Sequence, residues 1–259
     1  MRILTLNLNG IRSATQKGAL DWLKTQNADV ICVQELKAQA ADLTSDMIHL
    51  AGYHSVFHYA EKKGYSGVGL YSRRVPDAVV EGLGIAAIDC EGRYLEARFG
   101  NVSVVSLYLP SGSAGDHRQA AKFAFMAHFM PYMERLMASG REVVLCGDWN
   151  IVHTEKDIKN WKSNQKNSGC LPEERAWIGD ALNRVGWVDV YRRLHPEATD
   201  EGYTWWSHRG QAWVKNVGWR IDYQLATPGI AATATAATVY KTQRFSDHAP
   251  LTVDYAMDF

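Results

Sequence analysis

The chain has 259 residues, of which 46% are hydrophobic, so a buried core is expected and a disordered protein is excluded. Lys+Arg and Asp+Glu both number 28, and this zero formal net charge argues against a protein that coats nucleic acid indiscriminately. Four widely spaced cysteines without a CxxC pair argue against a disulfide framework or a zinc site. We find no signal-peptide or membrane-spanning pattern, and therefore expect a cytoplasmic protein without a membrane partner.

Strand patterns dominate the chain, with β-branched and aromatic residues in alternation or in short apolar runs. In chain order the predicted strands are RILTLNL, ADVICVQEL, YHSVFHYA, SGVGLYS, RYLEARF, NVSVVSLYLP, REVVLCGDWN, GWRIDYQLAT, TATAATVY and APLTVDY. Helical spacing predicts helices over 17–26, 116–139 and 172–186, with Pro131 kinking or interrupting the second. Residues 154–171 lack periodicity and are predicted to form a functional loop. We predict an α/β (α+β) protein with sheet packed on sheet and helices outside, as one domain spanning 1–259.

The run VLCGDWN, residues 144–150, ends an apolar strand on an acid and an amide. Residues i and i+2 of an extended chain project to the same face, so Asp148 and Asn150 are expected side by side, with Trp149 facing the other way. Burying such a pair without partners costs roughly 2–7 kcal/mol per polar group. The pattern therefore predicts that other polar groups meet this pair at the end of the strand.

Other apolar strands also end in polar residues. These residues are Asn7 and Asn9, Glu35 and Lys37, Tyr108, Asp222 within WRIDYQLAT, and Asp247 and His248 before the last strand. Each occurrence alone is typical of a turn or a helix cap. The repetition favours a site at one edge of the sheets.

The chemistry of this set indicates a divalent cation. Carboxylate and amide oxygens suit Mg²⁺ or Mn²⁺, and three converging carboxylates repel one another unless a cation lies among them. Such a cation commonly acts on phosphates, and His248 beside Asp222 would supply a donor for developing negative charge. The sequence contains neither GxxxxGK[ST] nor HExxH. The residues therefore predict metal-assisted phosphoester hydrolysis.

Eight blocks in order carry a family resemblance: NGIRSA, QELK, GYSGV, LYLPSG, GDWNI, NQKNSGCLPEER, GWRIDY and SDHAPL. Together they resemble the exonuclease III family of apurinic/apyrimidinic (AP) endonucleases, from near residue 1 to residue 255. The resemblance implies a deoxyribonuclease-I-like four-layer sandwich, two packed mixed β-sheets flanked by helices. It also implies a DNA repair hydrolase that cuts on the 5′ side of an abasic sugar and leaves a 3′-hydroxyl, with 3′→5′ exonuclease and 3′-phosphodiesterase activity in some members.

The resemblance also implies roles for individual residues. Asp148 would orient and deprotonate water or pass a proton to the leaving oxygen, Asn150 would stabilise the phosphate, and Glu35 would be the main Mg²⁺ ligand. His248, oriented by Asp222, would bond the scissile phosphate, which Tyr108 would also contact. The implied metal set, with Mn²⁺ as an alternative ion, is Asn7, Glu35, Asp148, Asn150, Asp247 and His248.

The implied partner is duplex DNA with abasic sites or damaged 3′ ends, bound by a monomer. Eight of the nine tryptophans lie between Trp149 and Trp219, interleaved near the end of this stretch with cationic residues, a composition suited to holding an extruded nucleotide. Trp205, Trp219 and Ile221 would wall a pocket for a base-free sugar. The further DNA-contact set is Arg12, Lys37, Asn164, Asn167, His208 and Arg209.

Two departures from the family pattern stand out. Asn9 replaces an acid that helps some members to bind metal, and the loop after Pro110 carries no arginine before Arg118. Two alternatives stay open at this point: another phosphoesterase of the same fold, acting on inositol phosphates or sphingomyelin, and a non-catalytic DNA-binding protein.

Overall fold

In the computed structural model, which describes residues 1–259, fourteen strands and nine α-helices alternate along the chain. The strands are β1 Arg2–Asn7, β2 Val30–Gln34, β3 His54–His58, β4 Val68–Ser72, β5 Ala78–Glu81, β6 Tyr94–Phe99, β7 Val102–Tyr108, β8 Glu142–Asp148, β9 Val188–Asp189, β10 Trp205–Trp206, β11 Gly218–Trp219, β12 Asp222–Ala226, β13 Ala234–Val239 and β14 Leu251–Tyr255. The α-helices are α1 Ile11–Gln16, α2 Ala19–Thr25, α3 Ser45–Ile48, α4 Ala86–Asp89, α5 Asp116–Ala138, α6 Trp161–Asn164, α7 Pro172–Asp180, α8 Val190–Leu194 and α9 Pro228–Ala232. Short helical turns also occupy Ala40–Asp42, Glu155–Asp157, Asp200–Gly202 and, as a π-helix, Ala181–Val185.

Two six-stranded mixed sheets form the centre of the molecule. Their strand orders are β13-β14-β1-β2-β4-β3 and β5-β6-β7-β8-β12-β9. Each sheet has one parallel pair at its centre, β1 with β2 and β7 with β8, and its other pairs are antiparallel. Strands β10 and β11 form a separate small ribbon. The carboxyl ends of both parallel pairs can thus lie along one edge of the molecule.

Three apolar clusters divide the molecule into four layers. One cluster lies between the sheets and includes Ile3, Val30 and Cys146. A second packs the outer face of the β7–β8 sheet on α5 and α7, and a third packs the outer face of the β1–β2 sheet on α1 and α2. This is the predicted four-layer sandwich, in which each sheet buries both faces.

Most predicted elements are confirmed, with differences at short or local features. The helix predicted over 17–26 is confirmed as α2, which begins after Gly18, whose positive φ of 87° separates it from the unpredicted α1. Strands β5, β9 and β10 were not predicted, because each has only two to four residues and so shows too little hydrophobic periodicity. The predicted interruption at Pro131 is wrong, since α5 continues through it. Pro131 and Ala127 are both exposed, so water can satisfy the carbonyl that the proline leaves unbonded.

The four cysteines are free, as their spacing predicts. No helix has the length and apolar character needed to span a bilayer.

Candidate active site

The polar residues at the strand ends come together at one edge, as their repetition predicts. In the register of the sheets, Tyr108 pairs with Asp148 across β7 and β8, and Asp148 pairs with Asp222 across β8 and β12. Strand β12 runs antiparallel to β8, so its first residue meets the last residue of β8. Asn7 ends β1 in the facing sheet and donates from Nδ2 to Asp148 Oδ2 over 2.9 Å, which joins the two sheets.

The Asp148–Asn150 pair is side by side, but a turn and not an extended strand places it. Strand β8 ends at Asp148, and Asn150 has a φ of 51°. The Asn150 amide N–H donates to Asp148 Oδ1 over 2.8 Å, and its Nδ2 lies 3.2 Å from Asp148 Oδ2. Trp149 is fully buried on the opposite side, as predicted. Gly147, just before the turn, permits the close approach of β7 to β8, because a Cβ there would lie 1.9 Å from the Leu107 carbonyl oxygen.

A buried chain of acid, imidazole and acid crosses the site. Asp222 Oδ2 lies 2.9 Å from His248 Nδ1, and His248 Nε2 lies 3.8 Å from Asp148 Oδ2. Burial lowers the pKa of His248, but Asp222 and Asp148 outweigh this effect and raise it to about 10. Burial also raises the pKa of Asp148 to about 8, against the opposing charge of His248. The two groups titrate as a pair, and the Asp222 bond favours the proton on His248.

Glu35, Asp148 and His248 form a group with the chemistry of a metal centre. Each offers one ligand atom, and these atoms lie within 4.8 Å of one another. Asn7 Nδ2 lies 2.9 Å from both Glu35 Oε1 and Asp148 Oδ2, so the amide bridges the two carboxylates. Two carboxylates with a neighbouring amide form an oxygen-rich set of the kind that Mg²⁺ and Mn²⁺ prefer. The residues present therefore fit a hard divalent cation.

A second chain of contacts links Glu35 to Asp247. Lys37 Nζ lies 2.8 Å from Glu35 Oε2 and also bonds Asn9, whose Nδ2 donates to Asp247 Oδ1 over 2.8 Å. Glu35, Lys37 and Asn9 all have positive φ values, near 50°, so the backbone itself turns these side chains toward one another. Asp247 Oδ2 accepts from Trp205 Nε1 over 3.0 Å. Asp247 therefore bonds protein donors and stands outside the Glu35–Asp148–His248 group.

Tyr108 is buried beside this group. Burial, and then the charge of Glu35, raises the pKa of Tyr108 well above its usual value, so its hydroxyl stays protonated. The Arg93 guanidinium lies 4.6 Å from the centre of the Tyr108 ring and donates to the Tyr108 carbonyl over 3.1 Å. Arg93 is itself 2% exposed and is paired with Glu91. The sequence reading missed Arg93, because its contact with Tyr108 joins residues 15 positions apart in the chain.

A cavity of about 660 Å³ opens next to Asn150. Its walls include the three predicted residues Trp205, Trp219 and Ile221, and Trp205 and Trp219 meet edge to face at 5.6 Å between ring centres. The other lining residues are Ser111, Gly112, Ser113, Gly115, Asp116, Gln119, Lys166, Asn167, Ser168, Gly169, Leu171 and Arg209. The cavity thus has an aromatic wall on one side and a polar rim from 111–119 and 166–171 on the other.

The predicted DNA-contact residues differ in where they lie relative to the cavity. Asn167 and Arg209 line the cavity, and Lys37 lies between Glu35 and Asn9. His208 is 68% exposed and lies 3.7 Å from Asp247. Arg12 and Asn164 do not line the cavity. Arg12 is exposed on α1, whereas Asn164 accepts a bond from Asn167 and so supports the rim from behind.

Lys122 and Glu174 form a fully buried pair behind the rim that the sequence reading also missed. Lys122 Nζ lies 2.7 Å from Glu174 Oε1 and from the Asn150 carbonyl oxygen. Glu174 Oε2 accepts the Gly169 amide over 2.6 Å. The sequence shows the LPEER block and the acids at the start of α7. Lys122, however, lies on α5, 52 positions before Glu174. No local signal connects them.

Most of the chain matches a known protein family. The model of the Endonuclease/Exonuclease/phosphatase family matches residues 4–248. The chain belongs to this family. It is 34% identical to an exodeoxyribonuclease of Bacillus subtilis, covering 97% of this chain and 98% of that protein. It is also 34% identical to a DNA-(apurinic or apyrimidinic site) endonuclease of Dictyostelium discoideum, covering 98% of this chain and 70% of that protein.

The solved structures agree with the sequence relatives. An AP endonuclease from Archaeoglobus fulgidus superposes with a TM-score of 0.89 at 28% identity, covering 99% of this chain and 100% of that one. The chain is therefore a hydrolase of the exonuclease III type and a DNA repair nuclease. Nucleases of this family depend on a divalent metal ion, and the Glu35–Asp148–His248 group could hold one.

Proposed function

We propose that this nuclease cleaves the phosphodiester bond on the 5′ side of an abasic site in duplex DNA and leaves a 3′-hydroxyl. Residues 1–259 would act as one domain and as a monomer, since the catalytic cluster and the cavity are complete within one chain. The observation that carries the proposal is the aromatic wall of Trp205, Trp219 and Ile221, which adjoins Asn150 and hence the catalytic cluster. Such a wall can admit a base-free sugar that has turned out of the duplex.

Mg²⁺, with Mn²⁺ as an alternative, would be held by the carboxylates of Glu35 and Asp148, with the amides of Asn7 and Asn150 around it, whereas His248, held by Asp222, would stand beside it as a protonated donor. Bound there, it would act as a Lewis acid on the phosphate and offset the charge of the carboxylates. Asp247 would support this arrangement through Asn9 and Lys37.

Asp148 would be the general base. Burial raises the pKa of its carboxyl group, which makes the ionised carboxylate a stronger proton acceptor than an exposed aspartate, while the charge of protonated His248 beside it favours the ionised form. The amide N–H of Asn150 and the Nδ2 of Asn7 fix its two oxygens, which directs the remaining lone pairs. The carboxylate would orient a water molecule toward the phosphorus and accept its proton as the P–O bond forms.

His248, Asn150 and Tyr108 would stabilise the charge that develops on the phosphate. Asp222 holds His248 Nδ1, so the protonated Nε2 points toward Asp148 and the centre of the site. The protonated hydroxyl of Tyr108 would be a second donor. Removing one such donor commonly costs about 10²–10³ in turnover.

The duplex would contact the cavity mouth. Arg209 and Asn167 line it, His208 is exposed beside it, and Arg12, Lys37 and Asn164 lie outside it. Because the chain has no net charge, we expect few phosphate contacts and a shallow dependence of binding on salt.

Removal of nucleotides or blocking groups from 3′ ends is a second candidate activity. The cavity of about 660 Å³ extends past the aromatic wall to the polar rim, which leaves room beyond a single sugar. The Bacillus relative is named an exodeoxyribonuclease. The same catalytic group would serve both reactions.

One duplex carrying a single abasic analogue and a 5′ label tests the proposal. A single Mg²⁺-dependent cut immediately 5′ of the analogue, absent with excess EDTA, is the expected result. A ladder of shortened products from an intact duplex would make the 3′→5′ exonuclease the main activity. No cleavage of either duplex by folded protein contradicts the proposed function.

A further inference from the structure

Arg220 lies between two cavity residues, but its side chain points away from the cavity. Trp219 and Ile221 line the cavity, whereas Arg220 is 2% exposed on the opposite side of the same segment. Alternate residues of an extended chain face opposite ways, so the wall and the buried guanidinium share one backbone. The proposed chemistry does not use this charge.

Two buried aspartates hold the Arg220 guanidinium. Arg220 Nε donates to Asp157 Oδ1 over 2.6 Å, and its two terminal nitrogens bond both oxygens of Asp189 over 3.1 and 2.6 Å. The guanidinium also stacks on the Tyr223 ring, 4.4 Å from its centre. Burial alone would raise the pKa of Asp157, but Arg220 outweighs it and lowers the pKa well below the usual value. Arg192 Nη2 also donates to Asp157 Oδ1 over 2.6 Å, so two aspartates and two arginines form one compensated network.

This network ties the aromatic wall to the loop of residues 154–171. The Arg220 amide donates to the Asp157 carbonyl over 2.7 Å, the Lys159 amide donates to the Gly218 carbonyl over 3.0 Å, and Ile158 forms a bridge with Trp219. The same loop continues into residues 166–169, which also line the cavity, and a Cβ on Gly169 would lie 3.0 Å from the Trp219 ring. The aromatic wall and this part of the loop are therefore both positioned relative to a single guanidinium.

We propose that Arg220 is a positioning residue that sets the width of the cavity and thereby its preference for a base-free sugar over an intact nucleotide. This inference rests on the proposed AP endonuclease function. A guanidinium can bond two carboxylates at fixed angles, whereas an ammonium acts as a point charge and cannot hold both in this geometry. Loosening the network should let the wall move outward and admit a base.

Arg220→Lys tests the proposal because it keeps the buried charge. Two values of kcat/KM are measured on duplexes of equal length. The first is for cutting at an abasic analogue, and the second is for removing an intact nucleotide from the 3′ end. We expect the ratio of the first to the second to fall by about fivefold or more, since a lost pocket contact changes discrimination by roughly 10–200-fold. A merely structural role would lower both values by one factor and leave the ratio unchanged.

Asp189→Asn is the second variant, in case Arg220→Lys fails to fold. It keeps the shape of the carboxylate but loses the bidentate ion pair, and we expect the same direction of change. Glu96→Gln is the matched control, because it removes another fully buried, arginine-paired carboxylate that belongs neither to the cavity nor to the network. Its ratio should equal that of the unmodified protein.

The outcomes separate the two proposals. An unchanged ratio in folded Arg220→Lys or Asp189→Asn, or an equal change in Glu96→Gln, overturns the positioning role while the AP endonuclease function stands. An unmodified protein that does not cut the abasic duplex overturns the proposed function, and with it this inference.

Discussion

Two groups of buried charges lie on either side of the aromatic wall, and they are built differently. In the network behind the wall, Asp157 and Asp189 face Arg192 and Arg220, so that the charges balance. At the strand ends, four carboxylates, those of Glu35, Asp148, Asp222 and Asp247, face Lys37, His248 and the exposed His208. One Asp222 oxygen has no hydrogen-bond partner at all.

This difference indicates that the charges behind the wall have a structural role and that those at the strand ends bind a ligand. In a balanced network, the attraction between opposite charges offsets the free-energy cost of removing them from water, and the ion pairs can hold the backbone in place. Burial, and then the charges of Asp222 and Glu35, raise the pKa of Asp148, and the excess of carboxylates leaves negative charge for a cation to offset. Substitutions should therefore affect stability in the first group and turnover in the second.

Asp148→Asn should have the largest effect on turnover. The amide cannot accept a proton, and we expect kcat on the abasic duplex to fall by about 10³-fold or more, since a general base contributes about 10²–10⁴-fold. Its melting temperature should not fall, because a buried, charge-repelled carboxylate is removed. Turnover within tenfold of the unmodified protein would exclude Asp148 as the base.

Arg220→Met should have the largest effect on stability. It leaves the buried Asp189 without a cationic partner and Asp157 with Arg192 alone, and breaking a buried ion pair in this way costs about 3–5 kcal/mol. Urea unfolding followed by tryptophan fluorescence measures this loss. A loss below about 1 kcal/mol would mean that water or other donors satisfy the two carboxylates, and the contrast between the two groups would disappear.

Asp222→Asn should lower kcat by about 10²-fold with little loss of stability. The amide still reaches His248 Nδ1 but removes a charge that keeps the imidazole protonated, so a donor to the phosphate is weakened. Steady-state kinetics with a thermal melt as control measures both quantities. An unchanged kcat would show that His248 is oriented by other contacts.

Lys156→Ala should have the smallest effect. The Lys156–Glu197 pair spans 2.8 Å on the surface near the network, and Glu197 is 87% exposed. Exposed pairs contribute about 0–1 kcal/mol, so neither unfolding nor turnover should change measurably. A loss comparable to that of Arg220→Met would show that nearness to the network, and not burial, decides the cost.

Much of the fold followed from the sequence, for identifiable reasons. Strands such as 102–108 and 142–148 combine strong β propensity with unbroken apolar runs, and the full-length resemblance named the four-layer architecture. Two-residue strands such as Val188–Asp189 carry no such pattern. A proline inside a helix removes one backbone hydrogen bond, and on that ground an interruption was predicted at Pro131. The helix continues because Ala127, whose carbonyl loses this bond, is exposed to solvent.

For the site, sequence alone determined which residue types end the strands, and hence the oxygen-rich, phosphate-directed chemistry. The tertiary structure decided their relation in space. The left-handed turn at Asn150 brings it to Asp148, and the amide of Asn7 crosses between the two sheets.

Only the tertiary structure placed Arg220 against Asp157, 63 residues earlier in the chain, and Lys122 against Glu174. A short stretch of sequence shows hydrophobic periodicity and the residue types that are adjacent in the chain, and both depend on only a few residues. Which buried charges become partners depends on contacts between distant segments, and these exist only once the sheets have packed.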